Sequence, residues 1–469
     1  MTAVETNYHE GLMHRLVNIY QDVDTTILGA IADRVLARLD DASTPGIGAA
    51  SRWDESSCLL ISYADSITDG RKSSLACLGE FVETHLNDVI DSVHILPFFP
   101  STGDDGFSVM DYRAVDPRLG SWGDLTNMSS SRKIMADVIL NHGSRSSAWF
   151  RQFVDGEAPG NGYFLSVDDD FDVSHVIRPR EHALLQPVTT VGGEKKVWCT
   201  FSEDQVDFDF SNPLLLEEFI GIILDFIDHG VRILRLDAVG FLWKETGTTC
   251  LNLHQTHAII QLIRYIADIY DDETVIVTET NLPNHENLSY FGNGNEAHWI
   301  YNFSLPPLIL YSLLFADSSI LRRWSMSMPP ALIGTSYLNF LSSHDGFGMR
   351  PTEGLLDATQ RQRLLDRLEA NGSLFSRRAK ADGTTSVYEA NTTLFSALEK
   401  SDGDPTGALS SARFIAAYAL MFGLEGIPAI YFNSLISAQN HTDGVARSGM
   451  KRRINRQKFE KDWLDDRLS

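Results

Sequence analysis

Cysteine is scarce: Cys58, Cys77, Cys199 and Cys250 are the only four in 469 residues, and no two form a CxxC pair. That spacing argues against a metal site or a disulfide framework and fits reduced thiols in a cytoplasm. Long apolar runs are missing as well. None is long enough to span a membrane, and Met1 to Gly11 is polar, without the apolar core of a signal peptide. Positive charge is short: 39 Lys and Arg stand against 63 Asp and Glu, a net charge of −24. Such a surface repels nucleic acid and anionic membranes, so neither is expected as a partner. It also repels phosphate at long range, so any phosphate must meet a local group of Arg or Lys. No internal repeat or low-complexity tract is visible, and nothing in the sequence speaks to the oligomeric state.

Material for a large core is plentiful, with 43% hydrophobic residues. Residues 10–39 read as helical, with Leu12, Leu16, Ile19, Tyr20 and Val23 near helical spacing and Ile27, Ile31, Val35 and Leu36 repeating it. The stretch from Asp40 to Ser51 holds Pro45, Gly46 and Gly48 and reads as a linker. Short apolar, β-branched runs follow at 57–65, 93–99, 133–140, 231–238, 273–280, 297–303, 335–345 and 426–433. They have the character of strands buried on both faces. Amphipathic helices are expected between several of them, at 214–228, ending near Gly230, and at 255–270. Eight strands with helical connections predict an α/β fold, a (β/α)8 TIM barrel. The expected organisation is an N-terminal helical region and linker over 1–50, barrel over 51–140 and an inserted subdomain over 141–230. Barrel resumes over 231–345, a second insertion covers 346–410, and 411–469 is the last part of the barrel.

Polar residues gather at the C-terminal ends of these strands: Asn141 and His142, Arg235 and Asp237, Glu279, then His344 and Asp345. In a barrel those ends converge on one face, where barrel active sites lie. A single Asp at a strand end is usually a cap or turn residue. Three carboxylates and two histidines at matching ends point instead to chemistry. Two carboxylates flanking a glycosidic bond suffice for retaining glycosyl transfer: one attacks the anomeric carbon, the other protonates the leaving oxygen and later serves as base. Arg235 points to the same side of its strand as Asp237 and should keep it ionised. Glu279 follows the apolar run Val275, Ile276, Val277, so burial should keep it protonated. Spacing alone does not fix these roles.

At these residues the chain resembles glycoside hydrolase family 13, the α-amylase family. The four signature regions stand as DVILNH (137–142), RILRLDAVG (232–240), TETN (278–281) and FLSSHD (340–345). The resemblance implies Asp237 as nucleophile, Glu279 as acid/base and Asp345 as stabiliser of the oxocarbenium-like transition state, with His142, Arg235 and His344 holding the glucosyl ring. Within the family it is most similar to the sucrose phosphorylase branch, through LPFFPSTGDDGFSVMDYRAVDPRLGSW (96–122) and RINR (453–456). That likeness implies Asp104 and Arg456 on the glucose hydroxyls and Phe107 near the ring. Arg456 follows Lys451, Arg452 and Arg453, so which arginine reaches the sugar is open.

The stretches 243–260 and 286–307, the helical region 10–39 and Asn281, where sucrose phosphorylases usually carry His, look more like the glucosylglycerate phosphorylase type. An anionic acceptor of that kind needs a cation. Arg178, Arg180 and Lys244 are candidates for it or for phosphate; each taken alone reads as a solvated surface charge. The expected partners are a small α-glucoside and phosphate as co-substrate, with no further cofactor and no metal. A hydrolase or transglucosidase with the same carboxylates is the alternative, and a non-catalytic barrel protein a further one. Relatives of this branch carry a C-terminal all-β domain; here residues 456–469 are expected only to begin the helix after the eighth strand, that domain to be absent and an apolar barrel face to be left uncovered.

Overall fold

All eight apolar runs become strands of one closed parallel barrel: β1 (Leu59–Ser62), β2 (Ser92–Ile95), β3 (Lys133–Ile139), β4 (Val231–Asp237), β5 (Val275–Thr278), β6 (Trp299–Tyr301), β7 (Ser336–Phe340) and β8 (Ile427–Tyr431). The computed structural model describes residues 3–40, 52–379 and 384–468; beyond its first residue, the linker expected over 40–51 lies outside them. Strands pair in chain order, and β8 closes the ring on β1 with Leu59 opposite Ala429. Nearly every strand residue is buried, as the unbroken apolar runs require. The strands are shorter than the runs. β7 ends at Phe340, so His344 and Asp345 stand on the loop beyond it rather than at the strand's end, and Glu279 stands one residue past β5.

The helical N-terminal region is two helices, not one: α1 (Ala3–Ile19) and α2 (Thr25–Asp40). The break falls before Thr26, whose N–H donates to Asp24 Oδ1 at 2.8 Å, a side chain that competes for the backbone. Both helices lie on the barrel's outer helices α3 (Pro213–Asp228) and α4 (His254–Tyr270). Leu12, Leu16, Leu28 and Ile31 are buried there. Burying each such side chain is worth about 1.5–3 kcal/mol, more than the partly exposed Arg34–Glu217 ion pair contributes.

Within the 141–230 span, a small sheet of Ser166–Val167, Leu185–Thr190 and Gly193–Trp198 stands apart from the barrel with its own core of Val167, Leu184, Trp198 and Cys250. The same span ends in α3, whose buried face of Leu215, Phe219, Ile222 and Ile223 joins the main core. In the 346–410 span, Phe347–Gly348, Leu374–Ala379 and Thr385–Asn391 form an antiparallel sheet beside the helix Ala358–Ala370. After β8 the chain reaches the helix Lys461–Leu468, with Leu464 in the main core. Among those residues no helix is long and apolar enough to cross a membrane.

Candidate active site

The C-terminal ends of the strands open into a cleft. Asp104, Phe107, His142, Asp237, Glu279, Asn281, His344 and Asp345 line it together, although they come from five different strand–loop units. β4 supplies the centre. Alternation along it turns Arg235 and Asp237 to one side, and Arg235 Nη1 donates to Asp237 Oδ1 at 2.7 Å. The same nitrogen also donates to Asp137 on β3, which lies 2.9 Å from His94 Nε2 on β2. A buried chain His94–Asp137–Arg235–Asp237 thus crosses three strands.

Two further effects bear on the expectation that Arg235 keeps Asp237 ionised. The guanidinium is shared with Asp137, and burial works against it. Burial, with Glu279 and Asp137 adding, pushes the Asp237 carboxyl up to about 8 against the pull of Arg235. Burial raises Glu279 too, with Asp345 adding and Arg235 opposing. Two such neighbours titrate as a pair. Arg235 bonds Asp237 directly, whereas Glu279 Oε2 accepts only the Ala238 N–H, at 3.0 Å. The geometry therefore favours charge on Asp237 and the proton on Glu279. Ala238 makes that bond from a left-handed conformation, φ +49°, a strained backbone of the kind found where a site must be held in place.

Asp345 behaves differently. Burial alone would raise its carboxyl, but Arg452, His344 and Arg456 together hold it well below the usual range. It stays negative at neutral pH. His142 and His344 are pushed down to about 4 and about 3, first of all by burial, so both are neutral imidazoles at pH 7. His344 stacks on Phe107, ring centres 4.8 Å apart and 8° from parallel. His142 Nε2 lies 3.1 Å from the Phe107 carbonyl.

Asp104 and Phe107 reach the cleft on a tight loop. Asp104 and Asp105 both take positive φ, and at Gly106 (φ +112°) a Cβ would lie 2.6 Å from the Pro97 carbonyl oxygen, so only glycine fits. Arg456 sits behind this loop with a fully buried side chain. Its Nη1 is 2.8 Å from Asp105 and 3.2 Å from Asp104, and its Nε donates to the His344 carbonyl at 2.8 Å. Arg452, four residues earlier, is the member of the basic run that lines the cleft.

Of the cations expected to meet an anion, Arg180 lines the cleft and Arg178 does not. Arg180 lies over the rings of Phe201 and Tyr388, 5.7 and 5.3 Å from their centres. Lys244 is elsewhere: its Nζ is 2.8 Å from Asn141 Oδ1 and 2.7 Å from Asp207 Oδ2, in a side chain 3% exposed. It is a buried counter-ion to Asp207 and does not line the cleft. Tyr388, Glu389, Gln205 and Phe201 also line the cleft. They come from the two insertions, and no pattern in those segments marks them. Among the described residues no group of three or more His, Cys, Asp or Glu is placed to hold a metal ion.

Residues 86–345 match the model of the α-amylase catalytic domain. A glucosylglycerate phosphorylase of Allomeiothermus silvanus is 40% identical over 447 residues, covering 94% of this chain and 80% of the relative. A sucrose phosphorylase of Agrobacterium vitis is 30% identical over 438 residues, covering 88% and 84%. The crystal structure of sucrose 6F-phosphate phosphorylase from Thermoanaerobacter thermosaccharolyticum superposes with a TM-score of 0.78 at 27% identity, covering 90% of this chain and 85% of that one.

Proposed function

The chain belongs to the α-amylase catalytic-domain family and is a glucosyl phosphorylase within it; we propose that its donor is a small anionic α-glucoside of the glucosylglycerate type and that Asp237, Glu279 and Asp345 carry the chemistry. In the first step the Asp237 carboxylate attacks the anomeric carbon as Glu279 gives its proton to the leaving oxygen of the glycerate. In the second, a phosphate oxygen displaces Asp237 while Glu279 takes a proton from phosphate. Two inversions leave α-D-glucose 1-phosphate with net retention. His142, His344 and Phe107 shape the glucosyl end, and Asp104 closes it with Arg456 behind. The scheme needs no cofactor beyond phosphate as co-substrate. The free, buried thiols Cys58, Cys77, Cys199 and Cys250 suit a reducing cytoplasm.

The observation that carries the anionic donor is Arg180. Among the described residues lining the cleft it is the cation with no carboxylate in ion-pair range; Arg452 is held by Asp345 and Glu389. Its guanidinium lies over two rings, Nη1 donates to the Pro179 carbonyl at 3.2 Å, and its other N–H groups can meet an oxyanion. Glycerate carboxylate and inorganic phosphate leave and enter in turn, so one cation serves both. The higher identity to a glucosylglycerate phosphorylase than to a sucrose phosphorylase supports the same donor.

Two measurements test this. Incubated with glucosylglycerate, the protein should release glucose 1-phosphate only when phosphate is supplied. Equal glucose release without phosphate would instead make it a hydrolase, and faster phosphorolysis of sucrose than of glucosylglycerate would reject the donor. Arg180→Ala should cut kcat/KM for phosphate roughly ten- to a hundredfold, the worth of a hydrogen bond to a charged group. An unchanged phosphate dependence would remove Arg180 from the anion site.

A further inference from the structure

We infer that Glu389 is a positioning residue for the glucosyl centre, setting through Arg452 and the Gly346 backbone where the Asp345 carboxylate stands and how much of its charge the sugar meets. The inference rests on Asp345 acting at that centre. Glu389 lies on the strand Thr385–Asn391 of the second insertion and is 2% exposed. A carboxylate buried that deeply is costly unless it is paired. Among the described residues its partners are two. The Gly346 N–H donates to Oε1 at 2.7 Å, and Arg452 Nη2 lies 3.2 Å from the same oxygen.

Both partners lead to Asp345. Gly346 is the next residue in the chain, and it lets the strand press close: a Cβ there would lie 2.5 Å from the Ala390 carbonyl oxygen and 2.6 Å from Glu389 Cγ. Arg452 Nη1 is 2.8 Å from Asp345 Oδ1 and 3.5 Å from Asp104 Oδ2. One guanidinium therefore serves three carboxylates. Glu389 draws part of its charge away from the pocket and fixes its plane. Asp345 is held in place, yet its negative charge is only partly cancelled and remains available to the positive charge that develops on the sugar. Without Glu389 the guanidinium would close on Asp345 and Asp104 and quench them.

The test uses α-D-glucosyl fluoride, whose leaving group needs no proton. With phosphate supplied, release of fluoride reports attack at the anomeric carbon, which needs no proton from Glu279 and no contact with an aglycone. Glu389→Gln should lower kcat with the fluoride about a hundredfold, the scale of a small misplacement at a reacting centre, with KM changed less than about twofold. Glu389→Asp, which keeps the charge, should recover part of kcat. Arg452→Lys should reproduce the loss, and combining it with Glu389→Gln should cost no more than the worse single change, since the two act as a unit. An unchanged kcat in Glu389→Gln would overturn the inference. So would additive losses in the double variant, or a fall in Tm with kcat and KM worsening alike and no recovery in Glu389→Asp. Fluoride release proceeds with water or phosphate as acceptor, so a protein that fails the phosphate requirement can still pass or fail here.

Discussion

Asp237→Asn should fold like the parent and lose glucosyl transfer by roughly ten-thousandfold or more, as removal of a nucleophile does. The amide preserves the shape of the side chain and can still face Arg235, which keeps its second partner Asp137. No new buried charge is left alone, because the guanidinium remains paired. What disappears is the oxygen that bonds to the anomeric carbon. Rates with phosphate and with water as acceptor should fall together, since both follow the same covalent step. A variant that retains more than a few per cent of the parent's rate with α-D-glucosyl fluoride would remove Asp237 as the nucleophile.

Glu279→Gln should separate two donors. With glucosylglycerate the loss should be about a hundred- to ten-thousandfold, the range for a positioned general acid. With α-D-glucosyl fluoride the first step needs no proton and should persist. In the absence of phosphate, water then has no base to activate it, and the glucosyl-enzyme should accumulate. Mass spectrometry of the quenched variant should find one hexosyl unit on the peptide containing Asp237; a hexosyl unit on another residue would reject the assignment. The pH profile carries the same information. Burial raises Glu279, and its protonated form is the one that cleaves the glycoside. Parent activity should therefore fall as pH rises through that raised value, displaced upward from the ordinary carboxyl range. Glu279→Gln acting on the fluoride should lack that alkaline fall.

The barrel was legible because its strands are buried on both faces. Val275–Thr278 is apolar up to its last residue, and Val231–Asp237 sets Ile233, Leu234 and Leu236 around Arg235 before it ends on Asp237, which lines the cleft. Sequence alternation also placed Arg235 beside Asp237. It could not show that Asp137, on the neighbouring strand, claims the same guanidinium, since that depends on register between strands. Charged residues outside the strands were harder. Lys244 and Arg180 look alike in the chain, yet one is buried between Asn141 and Asp207 while the other faces the cleft between two rings. Glu389 gave no signal. Its segment alternates like any sheet strand, and its importance appears only when the insertion folds over the loop after β7.

The ring of strands closes where Leu59 meets Ala429, near opposite ends of the chain. Contacts of such large sequence separation form slowly, because the intervening chain must first be ordered. Asp237 and Glu279 stand at the ends of neighbouring strands, Leu236 opposite Thr278, while Asp345 arrives on the loop after β7. In water they are three unremarkable acids, each ionised at neutral pH. Their acidities shift only where the folded barrel buries them beside one another, so a chain whose strands have not come together is not a weak version of the enzyme: it has no catalytic pair to be weak with.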